Sequence, residues 1–239
     1  GIWIRRRQEG QTEMQYQVMN WYHFCWLSGD NICEQHVHNL DVGNWVMTKP
    51  GVHPKDAHPV EANGMGACVQ RYRGPNKGVG QIFDEHFVEF TYADGTKMYS
   101  QCRQIPGCWK SVSEHAHGTQ GYCDIRKFSI EADGKPIQTL NTRSGRGRKR
   151  QSTANPYQVE HDALFDAIRN DKPYCEAEYG ATSTMTAILG RMATYSGQVV
   201  TWDQAFNSNL SLFPERLAWD ATPPILPNPD GSYPVAMPG

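Results

Sequence analysis

The sequence predicts an α+β fold, an open and mostly antiparallel sheet with helices on one face. Three observations carry this. Residues 31–47, NICEQHVHNLDVGNWVM, repeat at helical period. Residues 81–92 and 97–104 alternate on either side of an Asp94-Gly95 hairpin turn. Residues 156–169 and 177–196 then return to helical period. Helices, a run of strands, then helices is the order of an α+β domain. The sheet face that the helices leave bare needs cover, which predicts a homo-oligomer, a dimer or tetramer, built on it.

Taken in order, residues 1–13 carry Arg5-Arg6-Arg7 without periodicity and read as an extended, solvated or partner-facing loop. Residues 14–27 are dense in aromatics and read as one short packed helix, ended by Ser28-Gly29-Asp30. Asn31 is the expected N-cap of the next helix, with Glu34 three residues on as in a capping box. Residues 60–69, 81–92, 97–104, 111–117 and 121–130 read as strands, with a further turn at Asp133-Gly134. The basic loop 143–150, RSGRGRKR, lacks interleaved aromatics and reads as surface rather than a nucleic-acid site. Pro156 opens a helix to Arg169 whose buried side is Val159, Leu164, Phe165 and Ile168. The helix 177–196 has a small-residue face of Ala181, Ala187, Gly190 and Ala193. From Pro214 the chain holds seven prolines and reads as an irregular arm. The expected division is therefore 1–213 as one α+β domain and 214–239 as a Pro-rich arm.

A net charge of −2 over 239 residues gives no electrostatic pull toward nucleic acid or a membrane. No apolar run approaches the ~18 residues of a membrane span. Seven cysteines, an odd count without a C-x2-C pair, argue against a zinc ribbon or full disulfide framework and read mostly as small buried residues. The chain opens abruptly at Gly1-Ile2-Trp3, so an upstream portion with any targeting signal is expected elsewhere, leaving cytoplasm and periplasm both open.

On a helical wheel Glu34, His38 and Asp41 fall within about 60° of one another, beside an apolar strip of Cys33, Val37 and Leu40. An imidazole held between carboxylates suits a general acid/base near neutral pH. His36 points roughly the other way. The same spacing is common on solvated helices. His115 and His117, at i and i+2 on a strand, share a face and offer two imidazoles, either to a metal lacking an assigned third ligand or to a polar cleft. His86, in an alternating strand, reads as surface or interface. There is no G-x-G-x-x-G after a strand; Gly64-Met65-Gly66 lacks the third glycine. No Walker loop, G-x-S-x-G or H-E-x-x-H occurs.

Glu34-Gln35-His36-Val37-His38-Asn39-Leu40-Asp41 resembles the D-x-G-x-H-x-x-D helix motif of the glucose–fructose oxidoreductase, inositol dehydrogenase and rhizopine-catabolism (Gfo/Idh/MocA) family. Glu34, His38 and Asp41 take the places of its acid, histidine and last acid, and His36 departs from its glycine. The resemblance continues through His58-Pro59-Val60, the Asp94-Gly95 hairpin, the turn at Gly118-Thr119-Gln120-Gly121, and the helix with Glu160 and Ala167-Ile168-Arg169. It implies the substrate-binding and oligomerisation half of an enzyme whose N-terminal Rossmann domain, with its glycine loop and lysine, is absent from this chain. The cofactor would be NAD or NADP in the full-length protein, with none expected on this chain alone, which is expected to be inactive. His38 would act as acid/base on a sugar or polyol. Glu34 would orient His38 or contact a hydroxyl, and Asp41 would sit behind them. Arg103, Trp109, His115, His117 and Tyr157 are candidate substrate contacts. Two alternatives stand beside a sugar dehydrogenase. One is a lyase or hydrolase-like sugar enzyme of the same fold, using a metal or a transient oxidation. The other is a non-catalytic carbohydrate-binding or assembly domain.

Overall fold

A computed structural model describes residues 3–48, 51–69, 78–139 and 155–236. The basic loop 143–150 lies outside the described residues. The chain divides into two compact units, Gly1–Lys110 with Ala181–Gly239, and Ser111–Gly180.

The first unit is a four-stranded antiparallel sheet under helices. β1 (Glu61–Ala67) pairs with β2 (Glu85–Thr91), β2 with β3 (Lys97–Arg103), and β1 also with the two-residue β8 (Val200–Thr201). Asp94-Gly95 makes the expected hairpin turn, with Gly95 at φ 84°. The register puts Ala62, Val88, Phe90 and Ser100 on a buried face. Met65, Phe87 and Tyr99 lie on the other, 70%, 42% and 64% exposed, so that face is bare.

Helices α1 (Glu13–Met19), α2 (Cys25–Ser28), α3 (Asn31–Glu34) and α4 (Val37–Val46) precede the sheet. The aromatic stretch 14–27 is therefore not one helix. It is α1, a 3-10 turn at Trp21–His23 and α2. α2 ends on Gly29 in the left-handed region, where Cys33 leaves no room for a Cβ. The expected single helix over 31–47 is likewise broken, between α3 and α4. Its N-cap is Asp30 rather than Asn31, because the Asn31 amide is spent across the core, donating to the Phe83 carbonyl at 3.0 Å.

Cys33, Val37 and Leu40 do pack inward, as their spacing predicts, with Ile32, Val88 and Phe90. The helix Ala177–Ser196 closes the core through buried Ala187, Leu189 and Ala193. Gly190 admits Phe90 and Ile32 so closely that a Cβ there would meet them at 2.8 and 3.0 Å. His86 is a correction. It is 2% exposed and faces the core, because its register places it beside Cys102 rather than beside Phe87's bare face.

The Pro-rich arm has no helix or strand among its described residues and wraps its own unit. Tyr233 is buried with Met14, Tyr16, Phe24 and Trp26, and Gln17 Nε2 donates to the Ile225 carbonyl at 2.7 Å. Arg7 is exposed, as read, and also bonded to Glu13 at 2.5 Å, with its guanidinium 4.1 Å over the Tyr16 ring.

The second unit is its own antiparallel meander, β4 (His115–His117), β5 (Tyr122–Asp124), β6 (Ser129–Ala132) and β7 (Lys135–Thr139). One continuous sheet was expected; the structure has two. The expected strand 121–130 is cut by a turn in which Asp124 accepts from the Lys127 N–H and Phe128 takes φ 52°. α5 (Pro156–Arg169) opens with Pro at its first position, as read, and the structure adds an Asn155 cap. Its apolar stripe is not buried: Val159, Leu164, Phe165 and Ile168 are 39–63% exposed, and only Ala167 is buried. The helix is amphipathic, but no described strand covers that stripe.

Candidate functional site

The site is organised by the break between α3 and α4. The N–H groups of Gln35 and His36 both donate to the Asn31 carbonyl at 3.1 Å, and the α4 ladder restarts with Leu40 N–H on the His36 carbonyl. Glu34 thus ends one short helix and His38 lies in the first turn of the next. They do not share a continuous edge, and among the described residues neither oxygen of Glu34 is paired with His38. The acid–imidazole couple expected from the wheel is therefore not formed.

The two histidines of this segment differ in environment. His36 turns onto the sheet, with Nε2 2.7 Å from Ser100 Oγ on β3. Burial, with a smaller push from the neighbouring His86, lowers its pKa to about 4. His36 is therefore neutral near pH 7 and serves packing. His38 is exposed. Asp41 accepts a hydrogen bond from Ser183 Oγ, so its carboxylate ties α4 to the long helix.

Glu34 borders a cavity of about 330 Å³ together with Trp3, Trp21, Tyr22, Gln35 and Gln104. Its Oε1 accepts from Gln35 Nε2 at 3.0 Å, while its Oε2 is buried without a hydrogen-bond partner. Trp3, Trp21 and Gln104 escape a sequence reading. The aromatic density of 14–27 signals packing, and nothing in it separates Trp21, 37% exposed, from Trp26, 9% exposed.

The other candidates divide between the two units. Arg103 is exposed and donates to the Trp109 carbonyl at 3.2 Å, and Trp109 itself is 75% exposed. The next residue, Gln104, is the one that reaches the cavity. His115 and His117 belong to the second unit. His115 Nδ1 is 2.5 Å from Tyr122 Oη, and the His117 ring lies 4.7 Å from the Tyr122 ring. Tyr157, at the start of α5, is 73% exposed. Among the described residues no group of three His, Cys, Asp or Glu side chains is placed to hold a metal ion. All seven cysteines are free thiols. No described helix is long and apolar enough to cross a membrane.

The glycines of Gly64-Met65-Gly66 offer no cradle to the phosphates of a dinucleotide. Gly64 and Gly66 lie in an antiparallel strand, and the space a Cβ would need is taken by the Phe87 carbonyl at 2.6 Å and the Phe83 ring at 2.7 Å. Those glycines serve packing, not a phosphate cradle.

The sequence matches no protein-family model and no curated protein. Among solved structures the chain is similar to levoglucosan dehydrogenase in complex with NADH and levoglucosan (13% identity, TM-score 0.55, 76% of this chain and 53% of that one). It is similar to the aldose–aldose oxidoreductase of Caulobacter crescentus complexed with glycerol (13%, 0.53, 76% and 50%). A third is an oxidoreductase from Thermotoga maritima (13%, 0.52, 83% and 51%). The chain spans about half the length of each. These are Gfo/Idh/MocA-type oxidoreductases, and over that half this chain has their fold.

Proposed function

We propose that the chain is the substrate-binding and oligomerisation half of an NAD(P)-dependent oxidoreductase acting on a sugar or polyol. The observation that carries this is the placement of two groups one helix break apart: an exposed imidazole, His38, and a carboxylate residue, Glu34, that borders an aromatic cavity. The fold shared with sugar and polyol oxidoreductases supports it. The nicotinamide, bound by a Rossmann domain outside these residues, supplies the hydride acceptor. His38 takes the hydroxyl proton from the carbon being oxidised. Glu34 accepts a hydrogen bond from a substrate hydroxyl rather than orienting His38, since the two are unpaired here. The bare face of Met65, Phe87 and Tyr99 is the surface for self-association.

The test is His38→Ala in the enzyme that joins this chain to its cofactor-binding half. Loss of a general base lowers kcat/KM by roughly 10²–10⁴-fold. His36→Ala acts on stability rather than on chemistry. Comparable rate losses from both, at equal folded fraction, would remove His38 from the reaction.

A further inference from the structure

We propose that Ser113 and His115 form a nucleophile and its base, set in the meander of the second unit, for acyl transfer from short-chain carboxylic esters. The inference goes beyond the oxidoreductase reading and is independent of it, since it uses no cofactor and no residue of the first unit.

The cluster is built from a period of two. Ser113, His115 and His117 alternate along the segment that enters β4, so their side chains leave on one face. The antiparallel register sets Asp124 opposite His115, and Tyr122 opposite His117. Directly opposed residues on one face of a sheet meet.

Nε2 of His115 lies 3.1 Å from Ser113 Oγ. Nδ1 of the same ring lies 2.5 Å from Tyr122 Oη and 3.9 Å from Asp124 Oδ2. The His117 ring packs at 4.7 Å on the Tyr122 ring. Lys127 Nζ, 2.8 Å from that Asp124 oxygen, holds the Asp124 pKa below the ordinary carboxylate value, so Asp124 is ionised. A hydroxyl within reach of one imidazole nitrogen, with oxygens placed at the other, is the arrangement that activates a serine. It is recognised by geometry and not by order in the chain. An ionised carboxylate near Nδ1 favours the tautomer protonated there, which leaves the Nε2 lone pair facing Ser113. Ser111 Oγ, 3.1 Å from Ser113 Oγ, can donate to it and so leave the Ser113 hydrogen for His115.

In the reaction, Ser113 Oγ attacks the carbonyl carbon of the ester and its proton passes to His115 Nε2. The bond from the acyl carbon to the alkoxy oxygen breaks, and Nε2 returns the proton to the leaving alcohol. Water then cleaves the acyl-serine, releases the carboxylic acid and restores Ser113, without oxidant or reductant. The Arg126 guanidinium, which donates to the Val112 carbonyl beside Ser113, is the cation for the charge on the attacked carbonyl oxygen. The His115 side chain is 40% exposed, so a small ester reaches it, while an open sheet face gives a long acyl chain little to pack on.

The test treats the 239-residue chain with p-nitrophenyl acetate and, separately, with a small alkyl fluorophosphonate, and locates the adduct by mass spectrometry. The expected result is nitrophenolate release and one adduct, on Ser113. Ser113→Ala should remove the adduct. His115→Ala should slow labelling of Ser113 roughly 10²-fold or more, and added imidazole should restore part of the rate, which loss of structure alone would not allow. Tyr122→Phe keeps the ring against His117 and removes only Oη. As a positioning residue it should lower kcat for the acetate ester and leave KM unchanged. Ser211→Ala, exposed in the first unit, should change nothing. No adduct, an adduct on a residue other than Ser113, labelling equally fast in His115→Ala, or no recovery with imidazole would overturn the proposal.

Discussion

Nε2 of His86 lies 3.1 Å from Oδ1 of Asp30, and both side chains are wholly withdrawn from water. Nδ1 of the same ring lies 2.9 Å from Thr194 Oγ1, whose hydroxyl also reaches the Arg191 carbonyl at 3.0 Å, so one buried network joins the sheet to the long helix. Asp30 also accepts from the N–H groups of Asn31 and Phe83 and from the Tyr195 hydroxyl. This network holds Asp30 at φ 79°, a backbone region costly outside glycine, immediately before the segment that carries Glu34 and His38.

His86→Ala should therefore destabilise the chain by about 3–5 kcal/mol, because it removes one partner of a fully buried, hydrogen-bonded acid–imidazole pair. Denaturant unfolding measures it. A loss below about 1 kcal/mol, the scale of an exposed pair, would mean the site is wetter than its burial indicates.

The depressed pKa of His36 gives a pH signature. Its folded-state value, about 4, lies below the ordinary 6.5, so as pH falls the unfolded chain takes up the proton first. The stabilisation is complete above about pH 6.5 and is lost as pH falls toward 4, where it levels off. The full swing is of the order of 3 kcal/mol. His36→Gln should flatten that part of the stability–pH curve relative to the wild type. Parallel curves for the two proteins between pH 7 and 4 would contradict a buried neutral imidazole.

Gly190→Ala tests the closeness of helix and sheet. Alanine normally gains about 1 kcal/mol over glycine within a helix. Here its Cβ would press on Phe90 and Ile32, both fully buried and unable to yield into solvent. Overpacking of this kind costs about 1–3 kcal/mol, so the melting temperature should fall. A rise would show that the core can relax around the added methyl.

The bare sheet face predicts self-association. Phe87 and Tyr99 stack there at 6.5 Å with Met65 beside them, an exposed apolar patch of a kind that marks interfaces. Light scattering should find a dimer or tetramer, and Phe87→Asp should dissociate it. A clean 27.0 kDa particle for the unmodified chain would refute the interface.

What the sequence determined by itself was local. The hairpin at Asp94-Gly95, the helix that Pro156 opens and Arg169 ends, the long helix Ala177–Ser196 and the inward strip of Cys33, Val37 and Leu40 all follow from period and turn chemistry within one element. The wheel also turns His36 away from His38, but only the tertiary structure decided what His36 meets. The wheel places both on one helix, whereas His36 is claimed by Ser100, 64 residues away in sequence, at the break between α3 and α4. The same holds for the cap. Asp30 displaces Asn31 because its carboxylate answers Phe83, His86 and Tyr195, 53, 56 and 165 residues further along the chain. Periodicity reports the face a residue presents. It carries no information about distant partners, and those partners fix Asp30 and His36 on either side of Glu34.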